Sequence, residues 1–422
     1  MQREMLLLLV IVATALLSPG DCPGAPPGEA AAADDWPQWR GRDRDGHAAA
    51  LPRKMPSFNL LWKQPVAGAC DAGIAVSADR LVMPDHDEKE DTYHCYDAEK
   101  GTEIWTRTFP NDREMDYGAG PRATPLICTG SEKGRWDACT TKVYALSAFG
   151  ELHCFDLATG KTVWQKDFVK DFGAREAPKW GFCGSPLVAR GKLIVNPGGK
   201  AAVAALDPET GKLLWQGEGG GPNYSSFIAG RFGGVDQVVG HDDASLGGWD
   251  LATGKRLWSI AMEQGAGFIV PTPVDIGGKL LVSDHNNETQ LFAFGKDGAI
   301  VADPIAKSED IAPEVITPVV AGNLVLGQAK KLVCLDAADE LKTLWTEPAK
   351  VFKSDCHLIV ADGIALGLNN RGEAVLLSFD RNGAKILGQA KLCQRTLMHP
   401  TVALGRLYLR DGEFLYCYSL RG

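Results

Sequence analysis

Asp156-Leu157-Ala158-Thr159-Gly160-Lys161-Thr162-Val163-Trp164 is one of four copies of a nine-residue spacing, Asp-x-x-x-Gly-x-x-x-Trp. The others are Asp97/Gly101/Trp105, Asp207/Gly211/Trp215 and Asp250/Gly254/Trp258. The words Asp-Leu-Ala-Thr-Gly-Lys recur unchanged at 156–161 and 250–255. Self-similarity at a period of several tens of residues marks a repeat architecture. In each copy an alternating apolar run leads to the Asp and a second run carries the Trp. The Asp accepts hydrogen bonds from the amides of its own turn, and the Gly supplies the positive φ that closes it. Each copy therefore predicts a hairpin of two antiparallel strands.

Degenerate copies extend the count. Leu332-Val333-Cys334-Leu335-Asp336 reaches Trp345 with one extra residue, while the runs at 291–295 and 374–379 lead to turns and strands without Trp. The C-terminal run 415–420 stops where a last strand should begin, and residues 59–63 form an orphan outer strand carrying Trp62. The first half of each unit recurs too, as a strand, a Gly turn and a second strand. Ser185-Pro186-Leu187-Val188, Thr272-Pro273-Val274 and Thr317-Pro318-Val319 open three of these. Eight four-stranded units result, the eighth completed by the N-terminal strand. The expected fold is all-β: a single eight-bladed β-propeller of four-stranded antiparallel blades over 58–422, closed by strands from both termini. Trp62, Trp105, Trp164, Trp215, Trp258 and Trp345, with Gly101, Gly160, Gly211 and Gly254, are assigned to docking blade on blade. An outer-strand Trp can bury on the order of 150–250 Å² there.

Apolar residues make up 45% and charged residues 23% of the 422, ordinary for a folded soluble chain. Residues 5–17 are an apolar run too short to span a bilayer comfortably. Pro19-Gly20 and Ala30-Ala31-Ala32-Ala33 follow it, so 1–33 reads as a cleaved signal peptide and the mature chain as exported to the periplasm or beyond. Cleavage removes Arg3, Glu4, Asp21 and Glu29, taking the formal charge from −9 to −7. That balance offers no basic stripe for nucleic acid. It also leaves no transmembrane span, and a closed ring needs no second copy, so a monomer is expected. The Trp- and Arg-rich stretch at 34–57 is expected to pack back on the ring. Cys128 and Cys139 bracket a ten-residue insertion between strand-like runs and form the best candidate disulfide. Cys95, Cys154, Cys334 and Cys417 share one repeat position and read as small buried hydrophobes.

The repeats resemble those of the pyrroloquinoline-quinone-like propeller family, whose blades carry a similar Asp-x-x-Thr-Gly-x-x-x-Trp. Asp156–Trp164 and Asp207-Pro-Glu-Thr-Gly-Lys-Leu-Leu-Trp215 are close matches, and Trp36-Pro37-Gln38-Trp39-Arg40-Gly41 resembles an opening segment of its exported members. The resemblance implies one of two functional branches. One holds binding and scaffolding members, among them the outer-membrane β-barrel assembly lipoprotein. The other holds quinoprotein dehydrogenases, with a calcium-held quinone, a catalytic aspartate and often a disulfide between adjacent cysteines. This chain has neither adjacent cysteines nor Cys-x-x-Cys-His, and no calcium ligands can be carried over by motif.

In a propeller, binding takes place where the loops of one rim surround the central channel. The candidates there are Asp85, His86, His241, Asp242, His285, Asn286, Asn369 and Arg371 in turns between second and third strands. Arg122, Trp180, Phe182, Tyr224, His357 and His399 lie in segments that enter first strands. The aromatics suit a planar ligand, and the oxygen-bearing side chains suit calcium. Zinc spacing, a Gly-x-Ser-x-Gly elbow and a P-loop are all missing, so no catalytic or metal-ligating residue is assigned. The expectation is a non-catalytic exported binding module or scaffold for an envelope protein, peptide or glycan, with no cofactor. The alternative is an alcohol or sugar dehydrogenase using pyrroloquinoline quinone and calcium. A hydrolase or lyase built on the funnel's Asp and His residues is a third class.

Overall fold

The computed structural model describes residues 34–68, 70–129, 141–174, 176–262, 268–284 and 288–421. Its strands form eight four-stranded antiparallel sheets, the blades of an eight-bladed propeller. Blades one to four open with Ala75–Ser77, Leu126–Cys128, Leu187–Ala189 and Ile228–Phe232, and blades five to seven with Val274–Ile276, Val319–Ala321 and Cys356–Ala361. Each of these seven is a meander of four consecutive strands. Blade eight takes three strands from the C-terminus, starting at Thr401–Ala403, and its outer strand, Leu60–Pro65, from the N-terminus. Trp62 pairs with Cys417 across that seam, so the two ends of the chain lock one another. A buried Arg410 adds to the closure. Its guanidinium donates to the carbonyls of Pro84 and Gly68 in blade one and pairs with Asp85 at 3.0 Å.

The repeated nine residues act between blades. Gly160 has φ +66, and a Cβ built there would lie 2.5 Å from Cδ2 of Trp105 in the preceding blade. Gly211 meets Trp164 in the same way at 2.7 Å, while Gly101 receives Trp62 and Gly254 receives Trp215. The Gly thus both turns the chain and leaves a slot for the neighbouring indole. Four of the indole N–H groups find a carbonyl in the next blade: Trp105 donates to Leu157, Trp164 to Pro208, Trp215 to Leu251 and Trp345 to Asp380, while that of Trp62 is buried without an acceptor. Trp258 donates instead to the Gln237 side chain.

The same register explains the cysteines. Cys95, Cys154 and Cys334 sit opposite Trp105, Trp164 and Trp345, a place filled by Ala205 opposite Trp215 and Gly248 opposite Trp258. Only a small side chain fits beside the indole. All of these thiols and Cys417 are free, and burial pushes each up to about 12, so they are unreactive packing groups. Cys128 is disulfide-bonded; Cys139, the partner expected from the sequence, lies outside the described residues.

The turn aspartates Asp97, Asp156 and Asp207 are held below the usual carboxylate range. For Asp156 and Asp207 the main cause is the hydroxyl of Thr159 or Thr210, with backbone amides of the same turn adding to it. A carboxyl with a depressed folded pKa stabilises the fold above its unfolded pKa, and the contribution is lost as pH falls through the folded value. The melting temperature should therefore fall as pH is lowered from about 5 towards 3. Thr159→Val with Thr210→Val should make that fall shallower in circular-dichroism melts; an unchanged slope would remove these turns from the acid response.

Candidate binding site in the funnel

The first strands stand around the axis, and their entry residues form a relay of hydroxyls. The Thr124 amide donates to Ser185 Oγ, the Ser185 amide to Ser226 Oγ, and the Thr272 amide to Thr317 Oγ1, at 3.0–3.1 Å. A longer link joins the Ser226 amide to Thr272 Oγ1 at 3.4 Å. Five blades are tied side to side by this relay at the level where the channel meets the funnel.

Residues 34–48 thread the channel. They enter beside the turn of blade eight, where the Leu404 amide donates to the Asp34 carbonyl, and Trp36 bridges Val76. Pro37 accepts from the Ile127 amide, and the Trp39 indole donates to Thr272 Oγ1 at 3.2 Å. The segment then turns back, with Gly46 and Ala48 paired to Val360 of blade seven. Two arginines hold this turn from inside. Arg40 donates to the carbonyls of Thr317 and Pro318 at 2.8 Å and of Asp45 at 3.0 Å. Arg44 donates to the Ser185 and Pro186 carbonyls and to Gln38 Oε1, each at 3.0 Å. Both residues have left-handed backbones, φ 59 and 60. A non-glycine residue is kept there only when its surroundings over-determine it. Burial lowers the two guanidinium pKa values to about 10 for Arg40 and about 9 for Arg44, the latter helped by Arg40, so both stay charged at neutral pH.

Above this plug lies a cavity of about 470 Å³, within the range of small-ligand sites. Trp39 and His399 belong to its floor. His399 is 3% exposed, stacked on Trp36 at 5.8 Å, edge-on to Trp39 and 5.0 Å from His357. One wall is aromatic: Phe268 stands edge-on to Trp180 and Tyr224, which are tilted to one another, with centroids 4.7–6.2 Å apart. The far side carries Glu314 and Asp355. Arg122 completes the lining, but its guanidinium is committed to Asp71 at 2.8 Å and to the carbonyls of Asp116, Tyr117 and Gly118.

Protonation follows from burial. His357 is pushed down to about 4, and His399 falls well below the ordinary imidazole value, with His357 and Arg40 adding to burial. Both are neutral at pH 7. Asp355 is raised by burial, and by Glu314 against the pull of the Asn370 amide. The ionisable lining therefore carries two carboxylates, Glu314 and Asp355, beyond the Arg122–Asp71 pair.

Of the residues singled out by sequence, the structure brings Arg122, Trp180, Tyr224, His357 and His399 to this cavity. Asp85, His86, Phe182, His241, Asp242, Asn369 and Arg371 do not line it. Apart from Asn370, the described turns between second and third strands stay off the cavity, and their polar residues staple the turns themselves. Asp85 holds Arg410, His86 binds Asp91 at 2.8 Å, and Asp242 pairs with Arg256. His241 is buried beside Ser225, Asn369 caps its turn through Arg371 and Glu373, and Arg371 pairs with Glu373. Phe182 packs into the core on Phe168, against Gly150. His285 and Asn286 lie outside the described residues. Sequence reasoning missed Asp71, Tyr117, Phe268, Glu314 and Asp355. Each sits a few residues before a first strand, the position that Arg122, Trp180 and Tyr224 share.

A family model described as outer membrane protein assembly factor BamB matches residues 46–126 and 133–347. The chain belongs to this family. It is similar to the outer membrane protein assembly factor BamB of Shewanella oneidensis, 25% identical over 64% of this chain and 70% of that protein. A shorter stretch, 28% of this chain, is 31% identical to the quinohemoprotein alcohol dehydrogenase ADH IIB of Pseudomonas putida, covering 16% of that enzyme. Among solved structures, BamB from Moraxella catarrhalis superposes with a TM-score of 0.60 at 17% identity, over 86% of this chain and 99% of the other. A europium-containing methanol dehydrogenase gives 0.63 at 14% identity, over 92% and 98%. At these identities the superpositions speak for the fold alone, and the fold is common to both branches.

Proposed function

We propose that this protein is a non-catalytic binding member of its family, exported to the cell envelope, and that it recognises an envelope protein or peptide through the funnel cavity. The observation that carries this reading is the plugged channel. The N-terminal segment fills the axis with two fully buried arginines, leaving above it a cavity walled by aromatic side chains. The BamB relatives, named for outer membrane protein assembly, support placement in the envelope. Among the described residues no helix is long and apolar enough to cross a membrane.

The donor set argues against the quinone alternative. Pyrroloquinoline quinone is a tricarboxylate, and it would meet Glu314 and Asp355 while Arg122 is already engaged. Among the described residues no three His, Cys, Asp or Glu side chains converge as metal ligands.

The test is photo-crosslinking in envelope extracts from position 117, whose Tyr is 73% exposed at the rim, against position 362, on a turn at the opposite face. One defined adduct from position 117 and none from 362 is expected. Equal labelling from both faces would sink the funnel assignment. Saturable, calcium-dependent quinone binding with dye-linked alcohol oxidation would replace it with the dehydrogenase.

A further inference from the structure

The cavity's chemistry narrows what it takes, given the reading of it as a binding site. Three features converge. Asp355 is half-buried, with the Asn370 amide donating at 3.1 Å, and Glu314 is close enough to raise its pKa. Two carboxylates thus border one cavity, whereas the nearby Arg122 is spent on Asp71 and on loop carbonyls. The second feature lies in the floor. His399 Nδ1 lies 2.7 Å from the Pro400 carbonyl, which fixes the proton there, so Nε2 carries a lone pair. That Nε2 is buried with the Leu358 backbone nearby, and burial keeps the ring neutral, so the floor adds no positive charge. The third feature is the aromatic wall opposite, whose ring faces attract cations. Trp180 already shows the affinity: the Lys179 ammonium sits 5.0 Å from its centroid, itself paired with Asp116.

An anion finds no free cation here, and an apolar group leaves two carboxylates unanswered. We propose that the funnel cavity binds an alkylammonium group, either a lysine side chain of an extended peptide or a free polyamine. The ammonium sits between Asp355 and Glu314 with its alkyl stem against Trp180, Tyr224 and Phe268.

The mature protein is titrated with a blocked lysine tripeptide, its Nε-acetylated form and spermidine, read by tryptophan fluorescence and calorimetry. The lysine tripeptide is expected to saturate, and the acetylated form to bind at least about tenfold more weakly, because it keeps the stem and loses the charge. Asp355→Asn should weaken binding about tenfold and the exposed Glu314→Gln about threefold, both at an unchanged melting temperature. Asp355→Glu should recover part of the loss. Tighter binding of the tripeptide assigns the source to a peptide, and tighter binding of spermidine assigns it to a free amine. No saturation by either up to about 10 mM, or equal binding of the acetylated form, overturns the proposal. A defined adduct from position 117 alongside such a failure would leave the funnel as the binding face and discard only the ammonium.

Discussion

Gly160→Ala is expected to cost this protein about 2–4 kcal/mol in urea unfolding, although it adds a single methyl group near the surface. Two effects combine. At φ +66 the backbone is one that an L side chain adopts only under strain, a cost of about 1–2 kcal/mol. The new Cβ would also stand 2.5 Å from the Trp105 ring, so the indole must leave its slot or the turn must move. Trp105 is buried with its N–H on the Leu157 carbonyl and cannot move without losing that bond. Trp105→Ala alone should cost about 3–5 kcal/mol. The double variant decides the mechanism. With the indole gone, Gly160→Ala should cost only the backbone strain, leaving a coupling of about 1–3 kcal/mol between the two sites. Strict additivity would show that the turn and the indole act independently, and the docking account of the nine-residue repeat would be wrong.

The architecture was legible because the repeat writes its own contacts. Asp, Gly and Trp recur at fixed spacing since one residue caps the turn, the next receives an indole and the third supplies one. The missing fourth strand after 415–420 and the orphan Trp62 strand were enough to place the closure, which the pairing of Trp62 with Cys417 realises. The cavity was legible only in part. It is assembled from single residues of many separate loops that share a place before the first strands but no residue type, so Asp71, Phe268, Glu314 and Asp355 are marked only by that position. Trp180 and Phe182 are two residues apart, yet one faces the cavity and the other the core, because Gly181 between them has φ +81. The Asp and His residues of the outer turns look like ligands in sequence. In the fold they are spent on their own backbone or on a neighbouring arginine, as Asp242 is with Arg256 and Asp85 with Arg410.

Arg40→Met should be the most damaging change in the plug. The methionine keeps the bulk of the stem but withdraws the donors that satisfy the Thr317, Pro318 and Asp45 carbonyls. A buried acceptor left without a donor costs about 1–3 kcal/mol, and partial relaxation brings the sum to about 3–5 kcal/mol. For a chain of this size that is a fall in melting temperature on the order of 5 °C. Arg40→Lys should recover little of it. An ammonium is a compact point charge and does not reproduce the planar fork that joins carbonyls of two separate chain segments. The effect should also reach the funnel, because Arg40 fixes the turn that carries Trp39 into the cavity floor. Quenching of tryptophan by acrylamide should therefore rise in Arg40→Met well below its melting temperature. An Arg40→Met protein as stable as the parent, with unchanged quenching, would mean that residues 34–48 rest in the channel without holding it, and the floor of the binding site would have to be sought in the hydroxyl relay instead.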